Sequence, residues 1–214
     1  MTTWFITGTD TGVGKTEVAA AFGQYLQGKG RKVLPQKWVQ TGCLEDDDLS
    51  VHRQALGLSD EDLKNFGAAM RPYAFSLAAS AHLAAKEEGV KINPEKIIQC
   101  LRFLEQRCDD VVVEGLGGVN VPLTEDVTAL DMLERLKLKT LVVVDNKVGA
   151  INHALLTIEA IATRKIPIEG FVMNTFKEGN DLVLQDNPLI IERLSGVRCV
   201  GEMGNDKRLS LRLS

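Results

Sequence analysis

The sequence predicts an α/β fold, a largely parallel central sheet flanked by helices, and three observations predict it. Short β-rich apolar runs recur along the chain, a glycine or asparagine follows most of them, and a helix-like pattern comes next. Runs this continuously apolar suit strands covered on both faces. The 214 residues are 44% apolar and 25% charged, enough for one compact domain over residues 1–214 with a sizeable core. No repeat at solenoid spacing, low-complexity linker or sustained heptad divides the chain.

Taken in order, Trp4 to Thr7 form the first apolar run, Gly8 to Gly14 a glycine-rich bend, and Lys15 to Leu26 the helix-like segment KTEVAAAFGQYL. Gly28 and Gly30 stand near the end of that helix, where turning accounts for them. A second run around Val33 and Leu34 leads into QKWVQTG, and EDDDLSVHRQAL reads as an acidic cap followed by a helix. FSLAASAHLAAKEEG and NPEKIIQCLRFLEQR both read as helices, the second with Ile97, Leu101 and Leu104 on one face. VVVEG (111–115), TLVVVDN (140–146) and IEGFVMN (168–174) read as strands, with INHALLTIEAIAT as a helix between the last two. This order fits right-handed crossovers, and it gathers ligand groups at the carboxyl ends of the strands.

Twenty-nine acidic against 25 basic residues leave a net charge of −4, so the chain carries no global basic footprint for nucleic acid, although a local phosphate site is compatible with it. Cys43, Cys100, Cys108 and Cys199 form no CxxC pair and have no histidine at zinc-finger spacing, so they read as buried thiols in a reducing compartment. The start MTTWFITGTDTGVGKT lacks a basic, cleavable apolar leader, and charged residues and glycines interrupt each later apolar run. The expectation is a cytoplasmic protein with no membrane partner.

Gly8-Thr9-Asp10-Thr11-Gly12-Val13-Gly14-Lys15-Thr16 reads GxxxxxGKT between a strand and a helix, the GxxxxGK[ST] phosphate-loop pattern with one extra residue between its outer glycines. Glycines in such a P-loop let successive backbone N–H groups of Gly12, Val13 and Gly14 wrap phosphate oxygens; Lys15 reaches the outer phosphates and Thr16 offers a hydroxyl to magnesium. Magnesium needs further hard oxygens. Glu114 ends VVVEG, where a parallel strand delivers a carboxylate to the phosphate edge; the other reading is a solvated strand end. Asp46, Asp47 and Asp48 offer a second carboxylate or simply cap a helix. Lys37 is either a second ammonium at the γ-phosphate, able also to hold an anionic acceptor, or a surface lysine. Asn174 either reads a base through its amide or caps the next segment. Backbone donors from Gly149 to His153 open a helix that can receive a carboxylate, and His82 reads as a packing or hydrogen-bonding residue. No nucleophile elbow accompanies the histidines.

These blocks together resemble the dethiobiotin synthetases: TGTDTGVGKT at 7–16, KWVQTG at 37–42, VEGLGG at 113–118, NKVGAINHALLT at 146–157 and VMN at 172–174. The likeness runs from Thr3 to about Asn174. It implies a P-loop NTPase-type domain, commonly a homodimer, that closes the ureido ring of dethiobiotin from 7,8-diaminopelargonic acid, CO2 and ATP with Mg2+. On this resemblance Lys15 contacts the phosphates and the reacting carbamate, and Lys37 bridges carbamate and γ-phosphate. Thr11 and Thr41 lie by the diamine. Thr16, Asp48 and Glu114 ligate magnesium, and Asn174 reads adenine. Gly149, Ala150, Ile151, Asn152 and His153 receive the distal carboxylate, partly across the dimer.

The chain departs from that pattern at Gly12, where some members carry an acid that touches a substrate amine; at Trp38 and Ala81, which replace prolines; and in Gly201-Glu202-Met203-Gly204, which lacks the proline of a GxxP-like segment near the base. These departures bear on the diamine pocket and on adenine selectivity. A related ATP-dependent amide- or ring-forming enzyme is the nearest alternative. A nucleotide-controlled interaction ATPase is a further one, though such proteins often place a second lysine early in the loop, where this chain has only Lys15.

Overall fold

The computed structural model describes residues 1–42, 48–176 and 180–212; Cys43, Asp46 and Asp47 lie outside them. The first half runs β1 (Thr2–Gly8), α1 (Lys15–Gln27), β2 (Val33–Lys37), β3 (Val39–Thr41), α2 (Asp48–Leu56), α3 (Asp60–Met70), β4 (Tyr73–Phe75), α4 (Ala81–Glu87) and α5 (Pro94–Glu105). The second half runs β5 (Asp110–Glu114), α6 (Ala129–Leu136), β6 (Lys139–Asp145), α7 (Ala150–Thr163), β7 (Ile168–Asn174), α8 (Asp181–Ser195), β8 (Cys199–Met203) and β9 (Leu209–Leu211).

Seven strands form one sheet in the order β2-β5-β1-β6-β7-β8-β9, parallel except for the last pair, while β3 and β4 form a small parallel sheet of their own. Because alternate strand residues face opposite ways, the sheet has two buried faces. Ile6, Val112, Leu141, Val143 and Val172 pack against Val18, Ala19 and Phe22 of α1. Phe5, Val111, Val113, Val142, Val144 and Phe171 face the other layer, with Ile97, Leu101 and Leu104 of α5 and Ala154, Ile158 and Ile161 of α7. The predicted α5 stripe is therefore the buried face of its helix. Asn93 caps that helix by accepting from the Glu95 amide, and Pro94 opens it where a missing N–H costs nothing.

Two local readings differ from the structure, and α3, α6 and β9 have no sequence reading of their own. The segment 75–89 is not one helix: Phe75 ends β4, pairing with Thr41, and helix begins only at Ala81. Helices α3 and α6, each opened by a capping box (Ser59 with Asp62, Thr128 with Asp131), carry their signals in three residues rather than in a long apolar period. At the tail, β9 pairs antiparallel with β8 and covers that sheet edge. Cys100, Cys108 and Cys199 are free but only half-buried, their thiols pushed up in pKa chiefly by burial. No helix among the described residues is long and apolar enough to cross a membrane.

Candidate nucleotide and metal site

The loop from Gly8 to Gly14 leaves the carboxyl end of β1, in mid-sheet, and turns into α1. Gly14 sits at φ +85° as the helix N-cap, and a Cβ there would lie 2.0 Å from Asn174 Nδ2. Only glycine serves both the left-handed backbone and that contact. The first N–H groups of α1 have no acceptor inside the helix, which suits an anion. Asp10 shapes the loop from within: its carboxylate accepts from the Thr11 amide at 2.7 Å, and its carbonyl accepts from Lys15 Nζ at 2.8 Å. Burial, then repulsion from Lys37, lowers the Lys15 ammonium from 10.5 to about 8.

Lys37 ends β2 and Glu114 ends β5, and the two are register partners on adjacent parallel strands. Lys37 Nζ lies 2.6 Å from Glu114 Oε1, 2.6 Å from Asp48 Oδ2 and 3.2 Å from the Gly115 carbonyl. Lys37 is not a surface lysine. Burial opposes its charge, but Glu114 and Asp48 outweigh burial and raise its pKa. For Glu114, burial again works against the charged form, yet the Lys37 charge and the His52 hydrogen bond hold its carboxyl well below the usual range. Glu114 is fully buried, so it is no solvated strand end.

Thr16 Oγ1 lies 2.9 Å from both Asp48 Oδ1 and Glu114 Oε1. A hydroxyl has one proton to give, so it satisfies only one of these oxygens at a time. A hydroxyl and two carboxylates converge there as hard oxygens, a donor set that fits a hard divalent cation, with phosphate oxygens and water to complete its shell. Among the described residues no three His, Cys, Asp or Glu side chains form a metal group by themselves; Thr16 completes this one.

Lys15, Thr16, Lys37, Asp48, Glu114, Thr11, Gly12, Gly14 and Thr41 all line one cavity of about 720 Å³, with Phe176 at its margin. Val13 is buried behind the loop, and its carbonyl accepts from Asn174 Nδ2 at 2.9 Å. The other amide atom, Asn174 Oδ1, is buried without a partner, and Asn174 itself, fully buried, does not line the cavity. Asn174 thus belongs to the loop rather than capping the next segment. Gly149 to His153 do not line this cavity. They open α7 at the surface, with Gly149, Asn152 and His153 exposed.

Of the departures, Gly12 is exposed at φ +72° with open space beyond it. Trp38 and Ala81 are buried in the core and do not line the cavity, Trp38 packing 4.7 Å from Phe5 between ring centroids. Gly115 owes its missing side chain to Phe5, whose ring would lie 2.7 Å from a Cβ, rather than to a ligand. The residue that sequence reading missed is His52, buried and 2.9 Å from Glu114 Oε2. Its signal was present, four residues after Asp48 and so on the same helix face. His82, read as packing, is half-buried with Nδ1 unpartnered.

A family model described as an AAA domain matches residues 2–211. The ATP-dependent dethiobiotin synthetase BioD 2 of Haemophilus influenzae is 40% identical over 187 residues, covering 86% of this chain and 96% of that protein. That of Thermodesulfovibrio yellowstonii is 32% identical, covering 95% and 91%. Among solved structures, the septum site-determining protein MinD of Pyrococcus horikoshii, complexed with Mg-ADP, aligns with TM-score 0.60 at 17% identity over 96% of this chain and 82% of that one. A ParA family ATPase of Chlorobium tepidum aligns with TM-score 0.58 at 17% identity over 95% and 84%. At such identity these two share the fold alone. The near-complete span of 32–40% identity is what assigns the sequence: the chain belongs to the ATP-dependent dethiobiotin synthetase family.

Proposed function

We propose that this chain closes the ureido ring of dethiobiotin from 7,8-diaminopelargonic acid, CO2 and ATP, releasing ADP and phosphate. The observation that carries this reading is the convergence of Lys15, Lys37, Thr16, Asp48 and Glu114 around one cavity that leaves room beyond the phosphates for an acceptor.

The chemistry needs positioned charge rather than a nucleophilic side chain. An uncharged substrate amine attacks CO2, giving a carbamate and a proton; a carbamate oxygen attacks the γ-phosphorus and expels ADP. The second amine then attacks the carbamoyl carbon, closes the ring and expels phosphate. Lys15 would hold the β- and γ-phosphate oxygens, its burial making the ammonium more effective than one in water. Lys37 would turn from its two carboxylates toward the carbamate and the γ-phosphate, because magnesium neutralises those carboxylates when it binds. Thr16, Asp48 and Glu114 would hold that ion, which supplies charge neutralisation for phosphoryl transfer. Thr11 and Thr41 would contact the diamine at the cavity wall.

The backbone donors that would receive the distal carboxylate, Gly149 to His153, stand outside their own chain's cavity, which supports a homodimer in which one subunit completes the other's site. Residues 1–214 would act as one domain in the cytoplasm, without nucleic acid or membrane.

The test is magnesium-dependent turnover with 7,8-diaminopelargonic acid and bicarbonate, following dethiobiotin by mass and phosphate in parallel. Equal amounts of both are expected. Phosphate without dethiobiotin would overturn the acceptor and leave the nucleotide site standing.

A further inference from the structure

We propose that His52 is a positioning residue for the metal site, holding the Glu114 carboxylate so that one of its oxygens faces Thr16. The proposal rests on the reading of Thr16, Asp48 and Glu114 as magnesium ligands. Glu114 divides its two oxygens. Oε1 meets Lys37 Nζ at 2.6 Å and Thr16 Oγ1 at 2.9 Å, while Oε2 meets His52 Nε2 at 2.9 Å. The last torsion of a glutamate is broad and roughly two-fold, so the contacts on Oε1 alone define the carboxylate's rotation loosely, and a donor on Oε2 narrows it. Nε2 beside a carboxylate must carry the proton and donate. Nδ1 is buried with no partner, so the single hydrogen bond to Glu114 is the imidazole's one side-chain polar contact.

A buried ring that leaves one nitrogen unpaired is a poor way to fill a core, since an apolar side chain of the same size avoids that cost. What the histidine adds is a donor aimed at one carboxylate oxygen. Partners of this kind, hydrogen-bonded to a metal ligand rather than to the metal, orient the ligand and commonly alter metal affinity by about 10–100-fold.

The helix that carries His52 also carries Asp48, one turn earlier. It is anchored on α1: Gln24 Nε2 donates to the Ala55 carbonyl at 2.9 Å and Gln27 Nε2 to the Leu56 carbonyl at 3.0 Å. Leu56 packs so closely over Gly23 that a Cβ there would lie 2.8 Å from it. Since α1 begins in the phosphate loop, the same helix pair fixes Thr16, Asp48 and, through His52, Glu114.

Three variants separate positioning from packing. His52→Leu fills similar space without a donor; His52→Asn keeps polarity but is one bond too short to reach Oε2; His52→Gln places an amide nitrogen near the position of Nε2. The readout is binding of Mn2+ to the protein with saturating ADP, followed by electron paramagnetic resonance, beside ADP affinity measured in EDTA. His52→Leu and His52→Asn should weaken Mn2+ binding at least about tenfold and leave ADP affinity in EDTA unchanged, and His52→Gln should restore most of the loss. In turnover the half-saturating magnesium concentration should rise in parallel while the KM for the diamine stays level.

Wild-type Mn2+ affinity in His52→Asn, or a glutamine variant as weak as the asparagine one, would overturn the proposal. The asparagine and glutamine pair keeps the comparison valid if the leucine variant does not fold. Glu114→Gln serves as the reference: if it too binds Mn2+ as the wild type does, the metal-site reading itself fails, whereas weakening by Glu114→Gln alone removes only the role of His52.

Discussion

Lys37 and Glu114 are register partners on neighbouring parallel strands, and their side chains meet at 2.6 Å inside the protein. Directly paired residues of adjacent strands project to the same face, so two strand ends separated by 77 positions place opposite charges side by side by sheet geometry alone. Asp48 closes the other side of the ammonium. Lys37 is the counter-ion of a buried carboxylate, Glu114, and of a half-buried one, Asp48.

Lys37→Ala should therefore lower activity by at least about 10³-fold, the scale of a lost transition-state charge contact. It should also destabilise the ligand-free protein by roughly 3 kcal/mol, because removing one partner strands a buried charge. Added magnesium should return most of that loss by taking the ammonium's place between the carboxylates. Thermal melts with EDTA and with magnesium check this; an unchanged melting temperature in EDTA would mean that the pair contributes nothing.

Nucleotide binding should take up protons at alkaline pH. In the free protein Lys15 loses its proton near pH 8, against 10.5 for an ordinary lysine, because burial and Lys37 disfavour its charge. Arriving phosphates reverse that preference. At pH 8.5 calorimetry of ADP binding in buffers of different ionisation enthalpy should show uptake, at pH 6.5 little, and Lys15→Met none. For stability the sign follows from linkage: the unfolded chain keeps this proton up to about pH 10.5, so the cost of burying Lys15 is full below pH 8 and fades as the pH rises from there.

Gly14→Ala should destabilise the fold and abolish nucleotide binding. The left-handed backbone alone costs on the order of 1–3 kcal/mol, and the new methyl would press on Asn174 Nδ2 at 2.0 Å and the Phe176 ring at 2.2 Å. A melt and a fluorescent-nucleotide titration read the two effects separately. Retained nucleotide affinity would show that the loop can rearrange.

Asn174→Leu should cost about 1–3 kcal/mol, since it leaves the buried Val13 carbonyl unsatisfied. It should also flatten the ranking among ATP, CTP and GTP. Asn174 Oδ1 is a buried, unpartnered acceptor, and the adenine reading that the resemblance assigns to Asn174 would favour a base that presents an amine over one that presents a carbonyl. A variant that keeps the wild-type ranking would place base selection elsewhere, with the altered Gly201–Gly204 segment the next residues to vary.

If the α7 start completes the partner's site, two inactive variants should rescue each other. Lys37→Ala removes one half of the site and Asn152→Glu repels a carboxylate from the other, so mixed dimers hold one intact site each. Mixing after co-expression should restore on the order of a quarter of wild-type activity, the statistical share of intact sites in a two-fold dimer. No rescue, together with a monomer by light scattering under assay conditions, would confine the site to one chain.

Much of this protein was legible in the chain. The apolar runs at 4–7, 111–115, 140–146 and 168–174 became the central strands because a strand covered on both faces must be apolar throughout. The phosphate loop was legible because its chemistry is local: three glycines, a lysine and a threonine act within nine residues. Glu114 could be named for its place at a strand end. What tertiary structure decided was which side chains share a space. Strand order put Lys37 beside Glu114, and the seating of α2 on α1 brought Asp48 to Lys37 and Thr16, and His52 to Glu114, from a segment whose residues by themselves left a metal carboxylate and a helix cap both open. The small β3–β4 sheet took Phe75 out of its predicted helix in the same way. Period, cap and loop signals are properties of neighbouring residues and can be read in one dimension; contacts across 62 or 77 positions depend on packing, which one chain's residue order does not state.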